Sequence, residues 1–225
     1  MRILTKWIPN VVKYADQFPD AIADTLIMLA VSGAVSFLIG LLIAVVVVIT
    51  KPNGILPNRP VFWILDKIIN LFRAIPFIIL IPMLMFLSRF CFGTTIGVEG
   101  ALVPLICGTI PFMARQMESA MEEIPKEVIE ASISMGMSPW QIITQVYLKE
   151  NIPGMIRGCT ITLIALVGQI AIVGSIGAGG LGDLAIRYGH QRNMADITDV
   201  VVFLILILIS LIQAAGDWLV RRTTH

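Results

Sequence analysis

Two stretches of this chain admit almost nothing but helix buried in lipid. From Thr25 to Thr50, and again from Gly158 to Gly182, no side chain is charged. Each run exceeds the roughly 20 residues that carry a helix across a bilayer core. In hydrocarbon the backbone N–H and C=O groups must bond within the segment, and a single run meets that demand only as a helix. Weaker apolar runs add three more spans, so the expected set lies at about 22–49, 64–87, 101–117, 158–182 and 200–215. The expected fold class is an all-α integral membrane protein with five transmembrane helices. Composition agrees, with 57% hydrophobic and 14% charged residues and a mean hydropathy of +0.89, far more apolar than a soluble domain requires.

The segments between the spans differ in kind. Residues 1–20 carry Arg2, Lys6 and Lys13, but Lys6 and Pro9 interrupt any signal-peptide core. An amphipathic lead-in at the membrane surface is expected, with Trp7 and Tyr14 at the interface. The second span holds Asp66, Lys67 and Arg73 in its first half and Pro76 and Pro82 within it. Arg73 is expected to snorkel, pair or face protein. Pro104 and Pro111 imply bends in the third span, and loops are expected at Ser88–Gly100 and Asp183–Asp199. Gly33, Gly40, Ser32 and Ser36 in the first span are small enough for close helix contact.

The polar stretch 118–153 stands apart. Pro125 suits a helix start, and the helix predicted from about Lys126 to Met135 places Val128, Ala131 and Met135 on one stripe. Gly136 ends it, because glycine takes the left-handed cap without steric cost. Ser138, Pro139 and Gln141 then open a second helix through a capping box, with Trp140, Ile143 and Tyr147 expected along one face. The product is a helix–glycine–helix handle. Lys51, Arg59, Lys67, Arg115, Lys126, Lys149, Arg157, Arg221 and Arg222 lie on the handle's side of the spans, against Arg89, Arg187 and Arg192 on the other. The positive-inside rule therefore predicts a cytoplasmic handle and C-terminus and an N-terminus outside.

Several chemistries find no support. Net charge is +1, which gives no reason to expect nucleic acid. Cys91, Cys107 and Cys159 fall in or beside apolar runs, where cysteine acts as a small hydrophobe. His190 and His225 have no ligand spacing, so no metal site is expected. Gly177-Ala-Gly-Gly-Leu-Gly182 satisfies G-x-G-x-x-G, yet it follows a membrane-length run instead of a strand. A flexible helix end or close backbone approach is the expected use of those glycines. No catalytic constellation and no P-loop occur, so no catalytic residue and no cofactor are assigned to the chain. Thr160, Thr162, Gln169 and Ser175 are polar groups in the fourth span. Thr162, Gln169 and Ser175 are the candidates for a substrate pathway, and interhelical hydrogen bonding is the competing use.

Glu130-Ala131-Ser132, three residues, Gly136, nine residues, then Val146-Tyr147-Leu148 resembles the EAA loop of bacterial ABC importer permeases, E-A-A-x3-G-x9-I-x-L-P. Ser132 replaces an alanine, Val146 an isoleucine, and Lys149 stands where the family has proline. Arg73-Ala-Ile-Pro-Phe-Ile-Ile-Leu80, Thr160–Gly168, and Gly177–Gly182 leading into Tyr188-Gly189 resemble the methionine-uptake permeases over nearly the whole chain. The resemblance implies a type I ABC permease fold in the bacterial inner membrane, residues 1–225 forming one permease domain and 118–153 its coupling loop. It implies a second copy, two ABC ATPase subunits that hold ATP and Mg, and a periplasmic or lipid-anchored substrate-binding protein. Glu130, Ala131, Ser132 and Gly136 would contact the ATPase, and L- or D-methionine would be moved by alternating access. A permease for another amino acid or small solute is the first alternative. A secondary transporter is the second, without the inverted repeat or intramembrane carboxylate such carriers often show.

Overall fold

The apolar runs form long helices. A computed structural model describes residues 8–224, among which no strand occurs. The helices Gln17–Thr50, Gly97–Glu122, Ile152–Ala178 and Ala195–Thr223 are each long and apolar enough to cross a bilayer, and a fifth crossing is open to a bent pair, Arg59–Ala74 with Phe77–Phe92. Three of the four run past both ends of the range hydropathy predicts, and Ile152–Ala178 starts earlier than expected but stops short of Gly182. Helix propagation continues through flanking charges wherever packing supports the next turn.

The second span departs most from expectation. It breaks at Ile75–Pro76, with Ile75 at φ −79°, ψ 122° and Pro76 at φ −56°, ψ 131°. Proline disfavours the helical region for the residue before it and offers no N–H to the preceding turn. Pro76 therefore ends one helix and caps the next, while Pro82 lies inside Phe77–Phe92 as expected. Arg73 sits exposed in the last turn of Arg59–Ala74, where a cation suits the helix dipole. Pro104 and Pro111 lie within the uninterrupted Gly97–Glu122 helix. The loop expected at Ser88–Gly100 shrinks to a short link capped by left-handed Gly93. Asp183–Asp199 is mostly helical, through Gly180–Leu184, a π-helical turn Ala185–His190 and the start of Ala195–Thr223.

The chain forms two compact units. One takes the described residues up to Ala34, Pro76–Cys107 and Leu163–Ile212. Met28, Leu105, Leu166 and Ile170 make its first core cluster, and Ala21, Leu184, Tyr188, Ile197 and Val201 belong to a second. Gly33 leaves room for Leu163, whose Cδ2 would stand 2.8 Å from an added Cβ. The lead-in described from Pro9 is tied to this unit, because the Asn10 and Val11 amides donate to Asp196 at 2.8 and 3.3 Å. Tyr14 stacks on Tyr188 with ring centroids 4.8 Å apart. Arg2, Lys6 and Trp7 lie outside the described residues.

The glycine cluster is a close approach, as expected. The fourth span ends at Ala178 instead of Gly182, since Gly177, Gly179 and Gly180 all hold positive φ and turn the chain into Gly180–Leu184. A Cβ on Gly182 would lie 2.4 Å from the Ala171 carbonyl oxygen, so backbone packs directly on backbone.

The other unit takes Val35–Ile75, Gly108–Thr162 and the residues from Gln213 onward. Ala44, Met113 and Met117 pack together, Val47 meets Ile69 and Ala114, and Val48 meets Met121. Gly40 lies against Met113, which would stand 2.8 Å from an added Cβ. This unit carries the handle. Gly182→Val is expected to destabilise the purified permease by about 1–3 kcal/mol through overpacking. Gly168→Ala, with nothing within 4 Å of the new Cβ, is expected to leave thermal unfolding in detergent unchanged.

Candidate functional site

The handle begins later than its polarity indicates. Residues 118–122 belong to the Gly97–Glu122 helix, and the first limb is Lys126–Ser134 with Pro125 as its N-cap. It ends in a Schellman arrangement: the Gly136 amide donates to the Ile133 carbonyl at 2.9 Å and the Met137 amide to that of Ser132 at 3.2 Å. Gly136 has φ +78° and nothing within 4 Å of an added Cβ, so the position demands glycine for its backbone and not for space. The capping box forms as expected: the Ser138 amide donates to Gln141 Oε1 at 2.8 Å and the Gln141 amide to Ser138 Oγ at 3.4 Å.

The second limb is Pro139–Gln141 continued by a π-helical stretch, Ile142–Glu150. That winding changes which residues share a face. Ile142, Ile143, Val146 and Tyr147 are buried, and Ile142, Val146 and Tyr147 belong to one cluster with Val48 and Met121. Trp140, expected beside Ile143 and Tyr147, is instead 72% exposed. Each large apolar side chain buried there contributes about 1.5–3 kcal/mol. One limb is therefore anchored.

The other limb is open. Val128, Ala131 and Met135 do share a stripe, and all three are exposed, Met135 at 73%. Ser132 is the buried member of its motif, with Oγ donating to the Val128 carbonyl at 2.7 Å. Glu130 is exposed and lines a cleft of about 690 Å³ with Lys51, Ile129 and Ile133. A second cleft of about 540 Å³ lies among Glu123, Val128, Gln145 and Glu150. An exposed row of apolar side chains with a carboxylate at its edge thus lies outside the spans.

A charged network at the handle's base escaped the hydropathy reading. Glu118, only 4% exposed, binds Lys51 Nζ at 2.8 Å and Arg115 Nη1 at 2.6 Å. Arg115 also pairs with Asp66 and donates to Asn70 Oδ1 at 3.0 Å, and Lys51 also pairs with Glu122. The available signal was spacing: Arg115, Glu118 and Glu122 fall on one helix face. Burial by itself would lower the Lys51 pKa, but hydrogen bonds to Glu118 and Glu122 raise it on balance. Lysine's stabilising charge is then fully present below its ordinary pKa of about 10.4 and is lost only as pH rises through the higher folded value.

The pathway candidates separate. Thr162 is wholly buried and its hydroxyl donates to the Gly158 carbonyl at 2.8 Å, as Thr160 does to Ile156 at 2.8 Å. Both satisfy their own helix. Ser175 is exposed, donating to the Ile172 carbonyl at 2.7 Å, and Gln169 is half-buried. Among the described residues no three His, Cys, Asp or Glu side chains gather where one ion would reach them. Glu118→Ala, which removes one partner from each of two cations, is expected to cost about 1–3 kcal/mol, read as a lowered unfolding midpoint in detergent, with Glu118→Gln intermediate.

The chain was compared with known families, proteins and structures. Residues 36–224 match the family described as binding-protein-dependent transport system inner membrane component. The D-methionine transport system permease protein MetI of Escherichia coli K12 is 45% identical over 90% of this chain and 93% of its own. The methionine import system permease protein MetP of Bacillus subtilis is 44% identical over 75% and 76%. Among solved structures, an inward-facing form of the MetNI methionine ABC transporter superposes with a TM-score of 0.92 at 42% identity, covering 95% of this chain and 99% of that one. A histidine-bound amino acid ABC transporter at 18% identity, TM-score 0.78, shares the fold over 96% and 98% of the two chains. With this fold, and with a hinged handle projecting from its bundle, the chain belongs to the multi-pass inner-membrane permease subunits of binding-protein-dependent transport systems, on the branch that includes MetI and MetP.

Proposed function

We propose that this permease imports methionine as a homodimer above two ABC ATPase subunits, with an external substrate-binding protein delivering the amino acid. The substrate reading is supported by 44–45% identity, over 75–90% of this chain, to permeases named for methionine and D-methionine transport. The drive is supported by one observation above the others: the limb Lys126–Ser134 is unburied on its Val128–Met135 stripe, while the limb after Gly136 is packed into the membrane unit. An ATPase that shifts the open limb pulls on the packed one, and Gly136 holds the angle between them. Closure of two ATPase subunits on ATP and Mg then rocks the spans between outward- and inward-open states.

In this reading Glu130 pairs with a basic group of the ATPase, Ala131 permits close approach, and Ser132 knits the limb internally. The handle side is cytoplasmic. Lys51, Arg59, Lys67, Arg115, Lys126, Lys149, Arg157, Arg221 and Arg222 near the span ends outnumber Arg89, Arg187 and Arg192 in the opposite loops, which favours that orientation by the positive-inside rule. Gln169 and Ser175 are assigned to the pathway, and Thr162 to helix packing. The segment 1–225 acts as one permease domain, and ATP stays with the partner.

Vesicles holding this chain with its ATPase partner should accumulate labelled methionine only when ATP and the binding protein are both present. Uptake that persists without ATP would replace the scheme with a secondary carrier, and uptake of a different solute would change only the substrate. Gly136→Val forces a β-branched residue into left-handed backbone, a cost of roughly 1–2 kcal/mol. It should abolish uptake while the permease still inserts, and normal uptake by this variant would remove the coupling role. Gln169→Ala should raise the KM for methionine uptake without uncoupling it from ATP.

A further inference from the structure

The helix Arg59–Ala74 has a surface that transport coupling does not use. Its apolar residues divide into two rows. Phe62, Leu65 and Ile69 pack with Val47 and Ala114. Ile64, Ile68 and Leu71, spaced i, i+4, i+7, are 60%, 48% and 62% exposed, and Trp63, 55% exposed, lies past Lys67 towards the polar side. With 3.6 residues per turn, Lys67 falls on the border of the open row and Arg73 on the border of the packed one. Arg59, Asp66 and Asn70 fill the sector between them.

Charge on this helix is unbalanced. Asp66 is already engaged by Arg115, and Arg59, Lys67 and Arg73 form no ion pair with any described acidic residue. Apolar side chains bordered by unpaired cations, with a tryptophan at the boundary, match one surface: acyl chains beneath anionic headgroups. The helix ends at Ala74, with extended backbone at Ile75.

We propose that Arg59–Ala74 is an interfacial helix that selects anionic phospholipid in the leaflet on the handle's side. Ile64, Ile68 and Leu71 enter the acyl region, Arg59, Lys67 and Arg73 hold headgroup phosphates, and Trp63 sits at headgroup depth. Lipid held there fixes the depth at which Asp66 and Asn70 meet Arg115, and so the footing of the Glu118 network. The assignment is independent of which solute is carried.

The test is quenching of Trp63 fluorescence in the full-length permease, with Trp7, Trp140 and Trp218 replaced by phenylalanine. The protein is placed in phosphatidylcholine vesicles containing equal fractions of brominated phosphatidylglycerol or brominated phosphatidylcholine. Cations at the surface attract anionic headgroups, so phosphatidylglycerol should quench at least about twofold more strongly. High salt should erase the difference in the unaltered helix. Arg59→Gln/Lys67→Gln/Arg73→Gln should erase it too, while quenching by phosphatidylcholine persists. Equal quenching by the two lipids at low salt would overturn headgroup selection. Absence of quenching by either would overturn the lipid assignment itself and give the face to protein, a second copy or the ATPase.

Discussion

A nearly buried carboxylate anchors the mechanical part of this molecule. Glu118 sits where the Gly97–Glu122 helix leaves the membrane region, and it is shared between Lys51 and Arg115. Through Arg115 it reaches Asp66 and Asn70 on Arg59–Ala74, and through Lys51 the turn that follows Gln17–Thr50. Removing one charge from such a set leaves its neighbours less fully compensated in a poorly solvated place. The geometry is therefore held by mutual need, which a row of independent surface pairs would not provide.

From that footing the handle acquires its asymmetry. Its second limb is cemented by Ile142, Val146 and Tyr147 against Val48 and Met121, and its first limb keeps an apolar stripe open. The first limb also meets that cluster through Ile129 and buries Ser132, so a joint links two packed limbs of which only the first shows an open outer stripe. Left-handed Gly136 supplies that joint with backbone hydrogen bonds, and the Ser138–Gln141 capping box adds two from backbone amides to side-chain oxygens. Chemistry is left to whatever grips the open limb, and the permease contributes leverage.

The other unit solves a different problem. Helices in lipid gain little from hydrophobicity against one another and rely on close packing. Gly33 against Leu163, and Gly174 and Gly182 against the backbone across the turn, supply that closeness. The same glycines that imitate a dinucleotide fingerprint serve here to fold a span's end back on itself. A spacing pattern has meaning only in its structural context, and the context was a helix emerging from lipid.

Much of this was legible in the residues. Charge-free length determined that the chain crosses a membrane by helices, because lipid offers backbone polar groups no other partner. Gly136 and the Ser138 box announced the handle, because cap chemistry is local. Tertiary structure alone decided the break at Ile75–Pro76, the exposure of Trp140, the internal use of Thr162 and the Glu118 network. Each of these depends on what stands opposite: a π-helical winding moves Trp140 off the buried face, and Asp66 finds Arg115 from 49 residues away. Periodicity along one segment carries no record of which other segment will face it.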